Sequence, residues 1–65
     1  MKLWIARDSD NTLCIHKGKP KKFFSPKIGS HFWVSLEDYW EIGEDFLPEV
    51  TFENSPQEVE LVIKK

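Results

Sequence analysis

The chain has 65 residues, 40% of them hydrophobic and 14% aromatic, a composition too rich in core-forming side chains for a disordered segment. Its one cysteine, Cys14, excludes an internal disulfide and fits a reducing compartment, and the apolar run at residues 1–6 is too short for a signal peptide or a membrane span. We therefore expect one small cytoplasmic domain, residues 1–65, without membrane association.

The formal net charge of −2 conceals an uneven distribution of charge along the chain. Residues 1–30 contain seven Lys or Arg against two Asp, about +5, and residues 31–65 contain two Lys against nine Asp or Glu, about −7. A fold can interleave these charges, or it can separate them into two poles that orient a partner.

The first two predicted strands form a hairpin. Residues 3–7 and 13–16 alternate with the period of two that is typical of strands, and the segment between them fits a three-residue hairpin loop with Asn11 in the left-handed conformation. Pairing Asp8 with Thr12 then fixes which side chains share a face. One face carries Leu3, Ile5, Leu13 and Ile15, and the other carries Trp4, Ala6, Cys14 and His16.

The middle of the chain predicts a long loop followed by a strand. Residues 17–30 contain two Pro, two of the three Gly and five Lys, which favours a loop interrupted by a short strand at residues 23–24. Residues 31–35 are rich in aromatic and β-branched side chains, which predicts a strand with Phe32 and Val34 on one face.

Residues 36–43 allow two interpretations. Ser35 could cap a helix, or a turn at residues 36–38 could lead into a strand beginning at Tyr39 and form a second hairpin with the strand before it; strand propensity favours the hairpin. Residues 44–47 then predict a single helical turn that ends before Pro48.

The last predicted strand covers residues 57–64, with Val59, Leu61 and Ile63 facing inward, and Val50 and Phe52 are expected to enter the core. The fold class that follows is mainly β, with a β-rich α+β fold as the nearest variant. It consists of a small antiparallel sheet or barrel of four to five short strands with one short helical turn.

Both ends of the chain resemble known sequences. Residues 1–8 (MKLWIARD), residues 47–56 (LPEVTFENSP) and the EVEL strand that follows are similar to the ends of small uncharacterised proteins of gut bacteria and their prophage-type mobile elements. The resemblance covers about half of the chain and carries no activity, so no functional residue follows from it. It implies a bacterial or phage-derived accessory protein.

No catalytic or metal-binding constellation emerges from the sequence. Cys14, His16 and His31 lack the paired spacings of zinc ligands, and side chains two apart on a strand, such as Cys14 and His16, lie about 7 Å apart, too far for a nucleophile and its base. The acidic residues at 37–45 lack the ligand spacing of a calcium loop and read as a solvated edge. We expect no enzymatic activity, no metal and no cofactor.

The aromatic pairs at residues 32–33 and 39–40 carry the leading functional hypothesis. Neighbours on a strand point to opposite faces, so a single sheet exposes one member of each pair, whereas a barrel or a covered sandwich buries all four. Exposed aromatics within an acidic rim have the composition of an interface. The predicted partner-binding residues are Trp33, Tyr39, Trp40, Glu37, Asp38 and Glu41. The expected partner is another protein or a second copy of the chain in a homodimer.

The alternative hypothesis is weak binding of single-stranded nucleic acid through the lysine-rich segment 17–27. Lysines beside aromatic rings can neutralise phosphates and stack bases, although the net acidic charge and the single arginine argue against it. The residues that would act are Lys17, Lys19, Lys21, Lys22, Phe23 and Lys27.

Overall fold

Six strands form two antiparallel sheets in the computed structural model, which describes residues 1–63. The strands are β1 (Lys2–Arg7), β2 (Leu13–His16), β3 (Lys21–Ser25), β4 (Ser30–Val34), β5 (Tyr39–Ile42) and β6 (Gln57–Glu60). A four-stranded sheet has the order β5-β2-β1-β6, and β3 and β4 form a separate two-stranded sheet. The mainly β fold class is confirmed, with more strands than expected. No helix occurs among residues 1–63, and so none that could cross a membrane.

The first hairpin has the register that the sequence predicts. The Asp8 amide donates to the Thr12 carbonyl at 2.8 Å, the Asn11 amide donates to the Asp8 carbonyl at 3.0 Å, and Asn11 has a φ of 80°. Ile5 lies opposite Ile15 in the resulting ladder. The division of side chains between the two faces of β1 and β2 is therefore confirmed.

The left-handed conformation of Asn11 yields a prediction for stability. Asn11→Gly should leave the free energy of unfolding unchanged or raise it, because Gly adopts positive φ without strain, and Asn11→Val should lower it by about 1 kcal/mol or more. Urea unfolding followed by circular dichroism measures both effects. A loss of stability in Asn11→Gly that equals the loss in Asn11→Val would contradict this account of the turn.

The main hydrophobic cluster lies on one face of the four-stranded sheet, which we call the core face. Ile5 and Leu13 are buried there together with Val50, which comes from the irregular segment 43–55. This segment covers the end of the core face near Arg7 and contributes Leu47 to the edge of the core. The opposite face of β1 and β2 adds the buried side chains of Ala6, Cys14 and His16. A chain this short buries only about 60% of its unfolded surface, so these two small groups make up most of its interior.

Arg7 holds segment 43–55 in place. The side chain is only 6% exposed, and its guanidinium donates to main-chain carbonyls of segment 43–55 and of the first hairpin loop. Nε donates to Val50 at 2.5 Å, Nη1 to Glu44 at 2.8 Å, and Nη2 to Phe46 at 3.0 Å and Leu47 at 3.1 Å. A second bond of Nη1, to the Asn11 carbonyl at 3.0 Å, ties the same side chain to the first hairpin loop.

The predicted helical turn at residues 44–47 is wrong, and Arg7 gives the reason. The carbonyls of Glu44, Phe46 and Leu47 point at the guanidinium and are not free to accept hydrogen bonds within a helix. Leu47 also has a φ of 51°, which a right-handed helix does not contain. The segment forms non-helical turns instead.

Arg7→Lys should lower the free energy of unfolding by about 2–4 kcal/mol, although it preserves the charge. A single ammonium cannot reach carbonyls that surround a planar guanidinium, so buried acceptors lose their donors. The matched control is Lys2→Arg, an exposed exchange of the same two residue types on the same strand, which should change stability by less than about 0.5 kcal/mol. Equal stability of Arg7→Lys and the wild type in urea unfolding would refute the role assigned to Arg7.

The β3–β4 hairpin is anchored to the first hairpin loop through the outer edge of β4. The Trp33 amide donates to Asp8 Oδ1 at 2.9 Å, and the Ser9 amide donates to the His31 carbonyl at 3.1 Å. Strand β4 agrees with the predicted strand at residues 31–35, and Phe32 and Val34 share a face as expected. The strand foreseen at residues 23–24 is longer than predicted and spans Lys21–Ser25.

Strand β5 exists as the sequence predicts, but its partner is different. It pairs with β2, in the register Ile15–Trp40, so the expected second hairpin with β4 is wrong. The chain leaves β4, places Ser35 Oγ 3.1 Å from His16 Nδ1, and then crosses to the edge of the larger sheet, where the Lys17 amide donates to the Asp38 carbonyl at 2.9 Å. These contacts with the end of β2 direct β5 away from β4.

Strand β6 is shorter than predicted. It spans Gln57–Glu60, and although the Leu61 amide still donates to the Met1 carbonyl at 2.8 Å, Leu61 is 57% exposed and Ile63 is 82% exposed. Their predicted inward orientation is wrong because segment 43–55 covers the other end of the core face. Of the residues expected inside, Val50 is buried, and Val59 and Phe52 are partly buried. The predicted end of the strand at Lys64 lies outside the described residues.

Candidate interaction surface

Strand β5 forms a free edge of the four-stranded sheet. Among the described strands it contacts only β2. Because Lys17 and Asp38 form a hydrogen-bonded pair, the alternation of an antiparallel ladder directs the amides and carbonyls of Trp40 and Ile42 toward β2. The amides and carbonyls of Tyr39 and Glu41 therefore point to the open edge, where a further strand could pair with them.

Two adjacent aromatic side chains project from this edge. Trp40 lies on the core face opposite Ile15 and is 53% exposed, and Tyr39 lies on the other face and is 61% exposed. One side of the Tyr39 ring stacks on His16 with a centroid distance of 5.6 Å. The sequence analysis expected either one exposed member of this aromatic pair or none. Neither expectation applies, because both members are exposed.

The acidic residues surround these aromatics as the sequence hypothesis requires. Glu41 is exposed on the same strand, and Glu37 and Asp38 are exposed in the turn that precedes it. Ser35 holds that turn, since its Oγ donates to the Glu37 carbonyl at 3.2 Å. Five of the six predicted partner-binding residues thus lie together along one edge. We call these five residues, 37–41, the acidic aromatic edge.

Trp33, the sixth predicted residue, lies elsewhere. It is half-buried in β4, where its Nε1 donates to the Arg7 carbonyl at 3.1 Å and its ring contacts Phe52 at a centroid distance of 6.1 Å. Its hydrogen bond and its packing make Trp33 a structural residue that joins the two sheets.

The lysines of segment 17–27 do not form one continuous track. Lys19, Lys21 and Lys22 line an open groove of about 610 Å³ together with Phe23. The ammonium of Lys19 also lies 5.3 Å from the Trp4 ring centroid, and that of Lys22 lies 4.9 Å from the Phe52 ring centroid. Lys17 lies next to Asp38, and Lys27 lies in the turn between β3 and β4; neither lines the groove.

Cys14 and His16 share a buried face of β2, and His31 lies in the other sheet. Burial raises the pKa of the Cys14 thiol to about 11, with a smaller contribution from the Asp8 and Glu41 carboxylates, so the thiol stays protonated. Among residues 1–63 no group of three Cys, His, Asp or Glu side chains is placed to hold a metal ion.

His16 is a neutral imidazole in a closed environment. It is only 2% exposed, and burial lowers its pKa below the ordinary value of 6.5. Nδ1 lies 3.1 Å from Ser35 Oγ, whose own proton goes to the Glu37 carbonyl, so Nδ1 is the donor. Nε2 is buried and has no hydrogen-bond partner in the described part of the chain.

The lowered pKa of His16 makes stability depend on pH. The unfolded chain binds the proton more readily than the folded one, so the contribution of neutral His16 is complete above pH 6.5 and is lost as the pH falls below it. Between about pH 7.5 and about pH 5.0, the wild type should lose up to about 2 kcal/mol more stability than His16→Leu, which also removes the unpaired Nε2. Urea unfolding at both pH values measures the difference. Identical losses in the two proteins would contradict a buried neutral His16.

Three further exposed apolar side chains were not among the predicted partner-binding residues, although Phe23 was named for the nucleic-acid alternative. Leu36 is fully exposed in the turn before β5, and Phe23 and Phe24 are about half exposed on β3. Leu36 carried a signal that could have been used, because an apolar residue within a turn of acidic residues has no strand face to bury it. The exposure of the β3 side chains depends on how the strands pair. The local sequence pattern does not reveal that pairing.

Comparison with known proteins found no matching family model, no similar curated protein and no similar solved structure.

Proposed function

We propose that this chain is a small protein–protein interaction module that acts through the acidic aromatic edge. The observation that carries the proposal is the position of Tyr39 and Trp40. Both rings are more than half exposed on an edge strand whose outward amides and carbonyls have no partner strand among residues 1–63. Large aromatic side chains are enriched in interfaces, where they contribute most of the binding free energy.

The surface combines the two components of strand addition. The open edge of β5 offers main-chain hydrogen bonds at Tyr39 and Glu41, and the aromatic side chains on its two faces offer contacts that select a partner. The acidic aromatic edge itself carries three exposed carboxylates, those of Glu37, Asp38 and Glu41, so it favours a partner strand flanked by basic residues.

The wider context of the proposal comes from the sequence. The resemblance of both chain ends to small proteins of mobile elements supports an accessory role in such an element. A single free thiol at Cys14, buried and protonated, supports a reducing cytoplasmic location. We propose no enzymatic activity, and the dispersed positions of the lysines give nucleic-acid binding less support than the edge gives protein binding.

The test is loss of binding without loss of stability. The double variant Tyr39→Ser/Trp40→Ser should weaken binding to any captured protein by about 2 kcal/mol or more and leave the melting temperature within a few degrees of the wild type. The measurement is affinity capture from a bacterial lysate with quantitative mass spectrometry, followed by calorimetry with the purified partner. The matched control is Phe46→Ser, an equally exposed aromatic in segment 43–55, which should bind as the wild type does.

Two results would reject the proposal. In the first, the double variant and Phe46→Ser retain every captured protein equally. In the second, the wild type instead retains a labelled single-stranded oligonucleotide, with an affinity that collapses in added salt and in Lys19→Glu/Lys21→Glu; this result would transfer the function to the lysine groove.

A further inference from the structure

Strand β3 forms a second free edge. Strand β4 directs the His31 amide and carbonyl toward Ser9 and the Trp33 amide toward Asp8, so the alternate residues of β4 hydrogen-bond to β3. In the observed register these bonds engage residues 21, 23 and 25 of β3. The amides and carbonyls of Lys22 and Phe24 therefore point outward, and among the described strands β3 contacts only β4.

We infer that β3 of one copy pairs with β5 of a second copy in an antiparallel, head-to-tail arrangement. This inference rests on the proposed function, because it names the partner of the acidic aromatic edge. The outward-pointing residues of the two strands fix the register. Its cross-strand pairs are Lys22 with Glu41, Phe23 with Trp40, and Phe24 with Tyr39 of the second copy.

The register satisfies the main-chain and side-chain requirements together. Lys22 and Phe24 on one strand, and Glu41 and Tyr39 on the other, are the residues whose amides and carbonyls are free, so both pairs are hydrogen-bonded pairs. The same alignment sets Lys22 opposite Glu41, which its ammonium reaches by leaving the Trp33 and Phe52 rings, and sets two aromatic rings opposite two aromatic rings. Cross-strand pairs of these kinds stabilise antiparallel sheets.

The four aromatic side chains have the exposure that this pairing would remove. Phe23, Phe24, Tyr39 and Trp40 are each about half exposed in the isolated chain, on strands of five and four residues. Both strands therefore have an unpaired edge and half-buried aromatic side chains, so β3 matches β5 in length and in chemistry. Exposed aromatic surface of this extent on a small domain marks a site for a partner.

Charge selects unlike edges over like ones. Two copies of β3 would bring together two strands that carry Lys21 and Lys22 and no carboxylate, and two copies of β5 would bring together two strands that carry Glu41 and no basic residue. Pairing β3 with β5 joins the basic half of one chain to the acidic half of the next. Because the contact is not self-complementary, each added copy leaves one free edge of each kind, so assembly continues as open chains or closes as a ring.

The experiment is a charge swap followed by sedimentation velocity over a range of protein concentrations. The wild type should exceed its monomer mass of 7.7 kDa increasingly with concentration, and added salt should oppose this. Lys22→Glu and Glu41→Lys, each alone, should weaken self-association by about tenfold because like charges then face each other. The double variant Lys22→Glu/Glu41→Lys, and an equal mixture of the two single variants, should restore it.

The controls separate assembly from folding and from the proposed function. Circular dichroism and thermal melting must show that each variant is folded, and Lys27→Glu, a charge reversal in the turn outside β3, should associate as the wild type does. A wild type that stays monomeric up to about 1 mM, or single variants that associate undiminished, would overturn the inference. In that case loss of a captured partner in Tyr39→Ser/Trp40→Ser would still support the proposed function.

Discussion

The fold depends on one buried guanidinium. A charged side chain is expensive to remove from water unless hydrogen bonds replace its hydration, and Arg7 obtains them from main-chain carbonyls in the first hairpin loop and in segment 43–55. No carboxylate is among its acceptors in residues 1–63, so Arg7 forms no ion pair there. Its hydrogen bonds instead fix the path of the main chain. The irregular segment 43–55 can therefore cover the core, because the Arg7 guanidinium donates hydrogen bonds to its buried carbonyls.

The same interaction of Arg7 explains why the candidate surface lies where it does. Segment 43–55 is short, and Arg7 draws it over one end of the core face, where Val50 completes the core. Away from this end Leu3 is still buried, but Trp40, Leu61 and Ile63 are each more than half exposed. A chain of this length cannot cover both ends, so the exposed aromatic surface is a consequence of how the core is closed.

The sequence predicts local features well and the pairing of distant strands poorly. Asn11 fixes the first hairpin because its preference for positive φ is a property of one residue. The partner of β5 could not be foreseen, since it depends on contacts of Ser35 and Asp38 with the end of β2, far away in the chain. The helical turn at residues 44–47 failed for the same reason: its carbonyls are claimed by a residue some forty positions earlier. Arg7 shares a strand face with Leu3 and Ile5, and this alternation carried an unused signal for a segment that covers the core, since a lone arginine on an apolar face demands buried acceptors.

The strand order also determines when the domain can form during synthesis. Strand β1 lies between β2 and β6, so it receives one neighbour soon after it leaves the ribosome and the other only after residue 60 has emerged. Until then the nascent chain exposes one edge of β1, and the pairing that closes the sheet spans nearly the whole described sequence. Such non-local pairing slows folding and keeps apolar strands accessible to chaperones. The larger sheet must therefore be completed after translation of its last strand, however quickly the first hairpin forms.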